Sequence, residues 1–314
     1  MFFNEDNIYS YLVSTSHSGS TLLSILLDTH PEISSIGEVS NSIGSILRNN
    51  NELDKYICSC GKEIKDCSFW QNVKKQCANY GVDLNLHNFE TRLELRFGKN
   101  IDRVLFGSAG KLLSFQYFLD HLLSVTLPSY RKTTDKFVYR SSVIAKSVID
   151  VTGTSVFFDA SKEVGYGRLL IKDNSKIKII HLVRDPRGVV NSYLKHGKYD
   201  SYEGAVKSYR RTHWAALKLK NRLPANNYLA LRYEDLCRYP SEVLEGIFNF
   251  IDVKPMKIID NVNDKEHHII GNNMRLGCFK GIQIDESWRE QLPSKKASRC
   301  LRLADGIANK FNYI

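Results

Sequence analysis

The stretch Ile8–Asp28, with the sequence IYSYLVSTSHSGSTLLSILLD, decides the fold of this 314-residue chain. Its first six residues are mostly apolar and bulky, a pattern that predicts a short buried strand. Residues 14–20 are small and polar, and residues 21–28 have the apolar pattern of a helix. The sequence therefore predicts a strand, a Ser/Gly loop and a helix within its first thirty residues.

The loop in this stretch has the length and the setting of a phosphate-binding P-loop, which reads G-x-x-x-x-G-K-[ST] between a strand and a helix. It keeps the glycine at Gly19 and the hydroxyl at Thr21, but Ser20 stands where the lysine should be. Backbone N–H groups at a helix N-terminus still favour an anion. Without the lysine the loop suits a phosphate but is poorly equipped for triphosphate hydrolysis, and His17 is its remaining ionisable group. A plain Ser/Gly turn before a helix is the alternative explanation.

Strand and helix patterns alternate along much of the remaining chain. Such alternation is typical of a parallel sheet that helices cover on both faces. Strand signals stand at 33–36, 155–158, 176–183 and 228–231, and helical patterns at 163–173, 186–196, 200–222, 240–252 and 294–312.

Residues 41–150 differ, because helical periods recur there and strand signals are sparse. We interpret them as a helical insertion or lid within a single domain that spans residues 1–314. The predicted fold class is therefore α/β, a P-loop-containing three-layer fold with a central parallel sheet and this helical insertion. The helical periods lie at 69–80, 85–97, 101–127 and 140–150.

The charge and the hydropathy of the chain exclude several classes of protein. A formal net charge of +10 favours an anionic partner, such as a nucleotide, a nucleic acid, an acidic polysaccharide or a membrane surface. No stretch approaches 18 uninterrupted apolar residues, so we expect no transmembrane helix. The first residues lack the positive region and apolar core of a secretory signal. We therefore expect a soluble, cytoplasmic protein.

A second candidate anion site follows the strand at 176–183. Asp185 suits the N-cap of the next helix and Pro186 its first position. Arg184 is thereby placed at the carboxyl edge of a strand, where ligands of open α/β sheets bind. Ser192 lies about two turns along the helix, so the guanidinium and the hydroxyl can hold one phosphate from two sides. Pairing of Arg184 with Asp185 or with a helix terminus is the alternative.

With these two motifs the sequence resembles the sulfotransferases that use 3′-phosphoadenosine 5′-phosphosulfate (PAPS). Residues 17–23 resemble their 5′-phosphosulfate loop, and Arg184 with Ser192 resembles their 3′-phosphate motif at the same spacing. Many family members carry Arg or Lys at the position of His17. Further similar segments follow in family order from residue 8 to about 293: Gly37-Glu38, 58–70 with its cysteines, 159–162 (DASK), 232–236 (RYEDL), 268–275 (HIIGNNMR) and 287–289 (SWR).

The resemblance implies in-line transfer of a sulfuryl group from PAPS to an acceptor hydroxyl or amine, with the adenosine bisphosphate PAP as product. It implies Glu38 as the general base beside the acceptor, and His17 is the second assignment for that role. His17 and Lys162 would stabilise the bridging oxygen of the leaving group. The alternatives are a helix-capping role for Glu38 and a solvated position for Lys162.

The resemblance also implies which residues hold the donor. Backbone amides of the loop would bind the 5′-phosphate, and Tyr233 would contact the adenine. The residues expected to bind PAPS are His17, Ser18, Gly19, Ser20, Thr21, Arg184, Ser192, Tyr233 and, at the 3′-phosphate, Arg275.

We predict a sulfotransferase that acts on a hydroxyl, with a carbohydrate as the first choice of acceptor and a tyrosine-bearing peptide or a small alcohol still open. A P-loop nucleotide kinase or NTPase is an alternative that Ser20 disfavours. A non-enzymatic polyanion-binding protein is another, and it would use the basic run 207–222. We interpret that run as a solvated helix face and expect no nucleic-acid partner.

Four cysteines lie close together in sequence: Cys58, Cys60, Cys67 and Cys77. C-x-C is not the C-x2-C spacing of common structural zinc sites, so among zinc, a disulfide and packed free thiols we favour the thiols. The adjacent pair His267-His268 would point its side chains apart on a strand. The sequence thus predicts no metal site, and sulfuryl transfer requires no metal.

Overall fold

The centre of the fold is a five-stranded sheet in which every strand pair is parallel. The computed structural model describes residues 7–40, 56–91, 93, 113–173, 176–271 and 273–314. The strand order is β2-β3-β1-β4-β5, which confirms the predicted α/β class. The strands are β1 (Ile8–Val13), β2 (Ile33–Gly37), β3 (Val156–Lys162), β4 (Lys178–Val183) and β5 (Tyr228–Arg232).

Helices connect the strands and surround the sheet. Outside the insertion, the sequence predicts five helices after the helix at 21–28. All five are confirmed to within two residues at each end. None of the helices in the described ranges is both long and apolar enough to cross a membrane. The helices are α1 (Ser20–Asp28), α2 (Ser68–Asn79), α3 (Leu113–Thr126), α4 (Pro128–Thr152), α5 (Val164–Asp173), α6 (Pro186–Lys195), α7 (Tyr202–Lys220), α8 (Tyr233–Arg238), α9 (Pro240–Phe250), α10 (Trp288–Gln291) and α11 (Ser294–Lys310).

Strand β1 shows why the sheet is covered on both faces. Tyr9 and Tyr11 pack in one buried hydrophobic cluster and Leu12 in another, because successive side chains of a strand point to opposite faces. The first cluster includes apolar side chains of α2 and α4, and the second those of α1 and α9. A three-layer arrangement follows, with the sheet between two helical layers.

The predicted insertion lies only partly within the described residues. Its segments 41–55 and 94–112 lie outside them, so the helix predicted at 101–127 is seen only as α3. Helix α2 confirms the one predicted at 69–80, and the pattern at 140–150 belongs to the longer helix α4. Helices α2 and α4 pack against each other, and α4 also contacts β2 and β3.

The helix predicted at 85–97 is wrong in its described part, because residues 85–91 form no helix. The Asn85 side chain accepts a hydrogen bond from the His87 N–H at 2.9 Å, and Asn88 accepts one from the Glu90 N–H at 3.0 Å. Such local bonds compete with the helical ones. The positive φ of Glu90, 53°, also departs from a helix.

The carboxyl ends of the five parallel strands meet at one edge of the sheet. The chain returns to this edge after α9, where the Ile270 N–H donates to the Ile36 carbonyl at 2.8 Å beside the end of β2. Ligands of open α/β sheets bind at this edge.

Candidate active site

A cleft of about 1470 Å³ opens at the carboxyl edge of the sheet. Single-ligand pockets measure about 300–1,000 Å³, so this cleft has room for a nucleotide and a second substrate. Of the predicted site residues, Ser18 is buried and does not line the cleft. The structure brings the others to its walls: His17, Gly19, Ser20, Thr21, Glu38, Lys162, Arg184, Ser192, Tyr233 and Arg275.

The loop after β1 delivers the start of helix α1 to the cleft. Ser14 anchors the loop, because its hydroxyl donates to the Leu182 carbonyl at 2.6 Å and its N–H to the Lys162 carbonyl at 3.3 Å. Gly19 is the N-cap of α1, and no side chain caps the first turn. The N–H groups of a helix N-terminus are left without intrahelical partners and favour an anion.

Gly19 is required here for two reasons. Its φ of 92° lies in the left-handed region, and a Cβ built on it would stand 2.4 Å from Cδ2 of Tyr233. The Tyr233 ring therefore lies directly against the loop. Its hydroxyl donates to the Gln283 carbonyl at 3.3 Å and accepts from the Asp285 N–H at 3.1 Å. Tyr233 thus joins the loop to the segment that follows residue 282.

Lys162 and Glu38 form an ion pair that lines the cleft beside the loop. The side chains are 11% and 19% exposed, so the pair is largely desolvated. The Lys162 ammonium also donates to the Ser20 hydroxyl at 3.3 Å. An ammonium from β3 therefore stands next to the loop position from which the P-loop lysine is missing.

The loop that carries Glu38 is held by the DASK segment. The Asp159 carboxylate accepts from the Val39 N–H at 3.3 Å, and the Ser161 hydroxyl accepts from the Ser40 N–H at 2.9 Å. Burial raises the pKa of Asp159 to about 6, although hydrogen bonds from Ser161, Tyr9 and Val39 oppose the shift. Asp159 and Ser161 therefore position the loop rather than contact the cleft.

Glu163 is a second carboxyl group in this region, and the sequence reasoning missed it. Burial, followed by the charge of Glu38, raises its pKa to about 7. The Ser40 hydroxyl donates to its carboxylate at 3.2 Å. The sequence feature that could have identified it is its position directly after Lys162, the last residue of the DASK segment. The turn between β3 and α5 holds it near Glu38.

His17 is neutral at pH 7 in the free protein. Burial, followed by the charges of the nearby His196, Lys198, Lys162 and Arg184, lowers its pKa to about 4. Its ring stacks on His196 with 4.8 Å between centroids. The imidazole can donate one hydrogen bond, but it brings no positive charge of its own to the loop.

Arg184 is held in place from three sides. Its guanidinium donates to the His17 carbonyl at 2.8 Å and to the Asp285 carboxylate at 2.8 Å. It also lies over the Tyr233 ring, 4.7 Å from the centroid. Burial opposes ionisation of Asp285, but hydrogen bonds from Arg184 and Ser287 prevail and lower its pKa to about 2. Asp285 is a partner that sequence spacing could not reveal.

The start of α6 confirms the predicted capping. Asp185 is the N-cap, with its side chain accepting from the Arg187 N–H, and Pro186 is the first helical residue. Asp185 pairs with the Arg187 guanidinium at 2.6 Å. The alternative pairing of Arg184 with Asp185 is therefore not the one found, and the Arg184 carboxylate partner lies a hundred residues away.

Arg275 reaches the cleft from the chain segment after β5. Its guanidinium donates to the Ile57 carbonyl at 2.7 Å and lies over the Tyr56 ring, 4.5 Å from the centroid. The residue is 6% exposed. Its position therefore depends on residues 56 and 57, which directly precede the cysteine-bearing turn.

Comparison with known proteins finds similarity to sulfotransferases in sequence and in fold. A model of the sulfotransferase family matches residues 168–256, which include Arg184, Ser192 and Tyr233. Mouse carbohydrate sulfotransferase 5 is 24% identical over 164 residues, and the match covers 44% of this chain and 42% of that protein. The chain thus spans less than half the length of this curated relative.

Two solved structures share the fold over nearly the whole chain. The sulfotransferase domain of the Synechococcus PCC 7002 olefin synthase has a TM-score of 0.50 and 21% identity, covering 96% of this chain and 94% of that one. The sulfotransferase domain from the curacin biosynthetic pathway has a TM-score of 0.51 and 16% identity, covering 94% and 96%. The family-model match and the shared fold confirm that the chain resembles the sulfotransferase family, as its motifs indicated.

Proposed function

We propose that this chain is a sulfotransferase that moves the sulfuryl group from PAPS to an acceptor hydroxyl. The observation that carries the proposal is one cleft that combines the uncapped start of α1, Arg184 and the Lys162–Glu38 pair. In the reaction the bond between sulfur and the bridging oxygen of the 5′-phosphate breaks. A new bond forms between sulfur and the acceptor oxygen, and the acceptor proton passes to a base.

The donor site is assigned to the wall built by the loop and α6. PAPS carries about four negative charges, which suits a helix N-terminus beside buried cations. The amides of residues 18–21 would hold the 5′-phosphate, while Arg184, Ser192 and Arg275 would hold the 3′-phosphate. Tyr233 is 5% exposed and lines the cleft, and it would meet the adenine at the small accessible edge of its side chain.

Lys162 is assigned to the leaving group. Its ammonium lies 3.3 Å from the Ser20 hydroxyl, at the position where a P-loop lysine would deliver its charge. A preorganised cation in a desolvated cleft stabilises developing negative charge more than it would in water. His17, which is neutral, would contribute a hydrogen bond to the same oxygen.

Glu38 is assigned as the general base. His17, the second assignment for this role, lines the same cleft, where its ring stacks on His196. Glu38 lines the same cleft and lies beside Lys162, next to the expected site of transfer. This favours Glu38 over the second assignment.

The acceptor side is assigned to the wall that faces the donor. The described part of the predicted insertion lines the cleft through residues 59–61. A carbohydrate is the acceptor class we propose, and the mouse relative, named as a carbohydrate sulfotransferase, supports it. A cytoplasmic location and a lid function for 41–150 remain predictions.

Ligand-induced stabilisation tests the donor site first. PAP at about a hundred times its dissociation constant should stabilise the protein by about 2.7 kcal/mol. We expect PAP to raise the Tm of the wild type but not that of Arg184→Lys, since lysine cannot reproduce the fork of contacts. Arg187→Lys is the matched control, because Arg187 lies three residues away, pairs with Asp185 and does not line the cleft.

Transfer from radiolabelled PAPS to neutral glycans, tyrosine peptides and small alcohols then tests the reaction and ranks the acceptors. A Tm shift with ATP and Mg²⁺ but none with PAP would contradict the proposal and favour a kinase. Equal, strongly salt-dependent shifts with PAP and with unrelated polyanions would favour a polyanion-binding protein.

A further inference from the structure

Three cysteines and a histidine converge beside the cleft, and the mechanism above does not use them. The Sγ atoms of Cys58, Cys60 and Cys67 and Nδ1 of His268 all lie within 4.8 Å of one another. His268 comes from a segment about two hundred residues further along the chain. We call these four residues the Cys3His cluster.

The distances within the Cys3His cluster match those of a tetrahedral metal site. Cys60 Sγ lies 3.7 Å and Cys58 Sγ 3.9 Å from Cys67 Sγ. His268 Nδ1 lies 3.5 Å from the sulfurs of both Cys58 and Cys67. Zinc bonds of about 2.3 Å to sulfur and 2.0–2.1 Å to nitrogen, at tetrahedral angles, separate sulfurs by about 3.8 Å and sulfur from nitrogen by about 3.6 Å.

The backbone presents the three sulfurs in a tight turn. The Cys58 N–H donates to the Lys62 carbonyl at 2.8 Å, and the Gly61 N–H donates to the Cys58 carbonyl at 2.9 Å. Gly61 has a φ of 85°, which glycine adopts at little cost. Cys67 is the N-cap residue of α2, where the helix dipole favours a thiolate.

His268 is oriented independently of the sulfurs. The Ser59 hydroxyl donates to the His267 carbonyl at 2.6 Å and accepts from the Ile269 N–H at 2.8 Å, so it clamps the backbone on both sides of His268. The His268 ring stacks on Phe69 with 4.1 Å between centroids and 2° between planes. His267 points elsewhere, to Asp28 at 2.6 Å.

From this geometry we infer that Cys58, Cys60, Cys67 and His268 bind one structural zinc ion, with all four positions filled by protein. Four protein ligands leave no open position for water or substrate, which is the arrangement of structural rather than catalytic zinc. Sequence spacing alone favours packed thiols, because C-x-C is unusual for zinc and the fourth ligand is remote. The fold supplies that ligand.

The zinc would join two segments that shape the cleft. One is the turn 58–67, and the other is the segment 267–275, which pairs with the end of β2 through Ile270 and Ile36. Arg275 lies at the end of the second segment and donates to the carbonyl of Ile57, the residue directly before the first. Metal binding would therefore fix the positions of Arg275 and of the loop that carries Glu38. Part of the free energy of metal binding would stabilise the fold.

Metal analysis of the whole chain tests the inference. We expect about one zinc per chain in wild-type protein purified under reducing conditions, and less than about 0.1 in Cys60→Ser and His268→Gln. Cys77→Ala is the matched control, because Cys77 is a buried free cysteine outside the cluster and its loss should leave zinc in place. Chelation should lower the Tm of the wild type and of this control only.

Cobalt substitution keeps the inference testable even where a variant fails to fold. Wild-type protein exchanged with Co²⁺ should show thiolate-to-cobalt charge transfer and intense visible bands, the signature of a tetrahedral sulfur-rich site. Wild-type protein that holds no zinc and gives no such spectrum overturns the inference. A native mass lower by two hydrogens, with a bond mapped between cluster cysteines under reducing purification, also overturns it in favour of a disulfide.

Discussion

Replacing Lys162 by methionine removes one charge from the cleft and keeps most of the side-chain volume. Lys162 pairs with Glu38 and contacts the Ser20 hydroxyl, and its side chain is 11% exposed. We expect the variant to fold, because methionine can occupy the same stem positions and Glu38 still borders the cleft. Its defect should be in transfer.

The size of the defect follows from the contact that is lost. A hydrogen bond to a charged group contributes about 1.5–3 kcal/mol, and 1.36 kcal/mol corresponds to a tenfold change in rate. The ammonium interacts more strongly with the leaving group than with intact PAPS, because negative charge develops on the bridging oxygen. We therefore expect kcat to fall by about 10- to 100-fold and PAP affinity to fall less.

The assay is steady-state transfer from radiolabelled PAPS, together with calorimetric PAP binding. Lys178→Met is the matched control. Lys178 is also on a strand, is 14% exposed and pairs with Asp252, but it starts β4 and does not line the cleft. The control should lose stability without losing kcat.

A Lys162→Met variant with kcat within about threefold of the wild type would refute the assignment. The lost contact would then lower the barrier by less than about 0.7 kcal/mol, because 1.36 kcal/mol corresponds to a tenfold change in rate. A raised KM for PAPS with an unchanged kcat would contradict the leaving-group role in another way. It would show that Lys162 binds the donor equally in the ground state and in the transition state.

Three further predictions concern the loop and the carboxyl group near it. Gly19→Ala should abolish PAP binding and destabilise the fold more than Gly153→Ala does. Both glycines have a positive φ, but only a Cβ at residue 19 would meet Tyr233. Urea unfolding of both variants measures the difference in stability. The pKa of His17 is lowered to about 4, so the free energy of unfolding should fall as pH drops from about 6.5 to 4. Urea unfolding at several pH values should show a shallower fall for His17→Gln than for the wild type. An equally steep fall in the variant would contradict the prediction. The pKa of Glu163 is raised to about 7, so the wild type should lose stability as pH rises from about 4.5 to 7. Glu163→Gln lacks this titration and should become more stable relative to the wild type over that window. A stability difference between variant and wild type that stays the same across the window would contradict the prediction.

Local patterns were enough to predict the sheet and the loop that follows β1. The strand, loop and helix of 8–28 follow from hydrophobic periodicity, and so do the later strands to within a few residues. The helix expected at 85–97 failed because two asparagine side chains bond to the backbone, and periodicity does not register such bonds.

Partners from distant parts of the chain could not be predicted in this way. Asp285 meets Arg184 across a hundred residues, and His268 meets the cysteine turn across about two hundred. No spacing rule connects such positions, since only the folded sheet and the segment that returns to its edge bring them together. The gap therefore lies in tertiary contacts rather than in element types.

The ion pair between Glu38 and Lys162 gives the proposed reaction an internal balance of charge. When Glu38 accepts the acceptor proton, its carboxyl becomes neutral and the ammonium loses its counter-ion. Negative charge appears on the bridging oxygen in the same step. One cation thus passes from neutralising the base to neutralising the leaving group, so the cleft keeps a constant net charge and its surrounding dipoles need little reorientation.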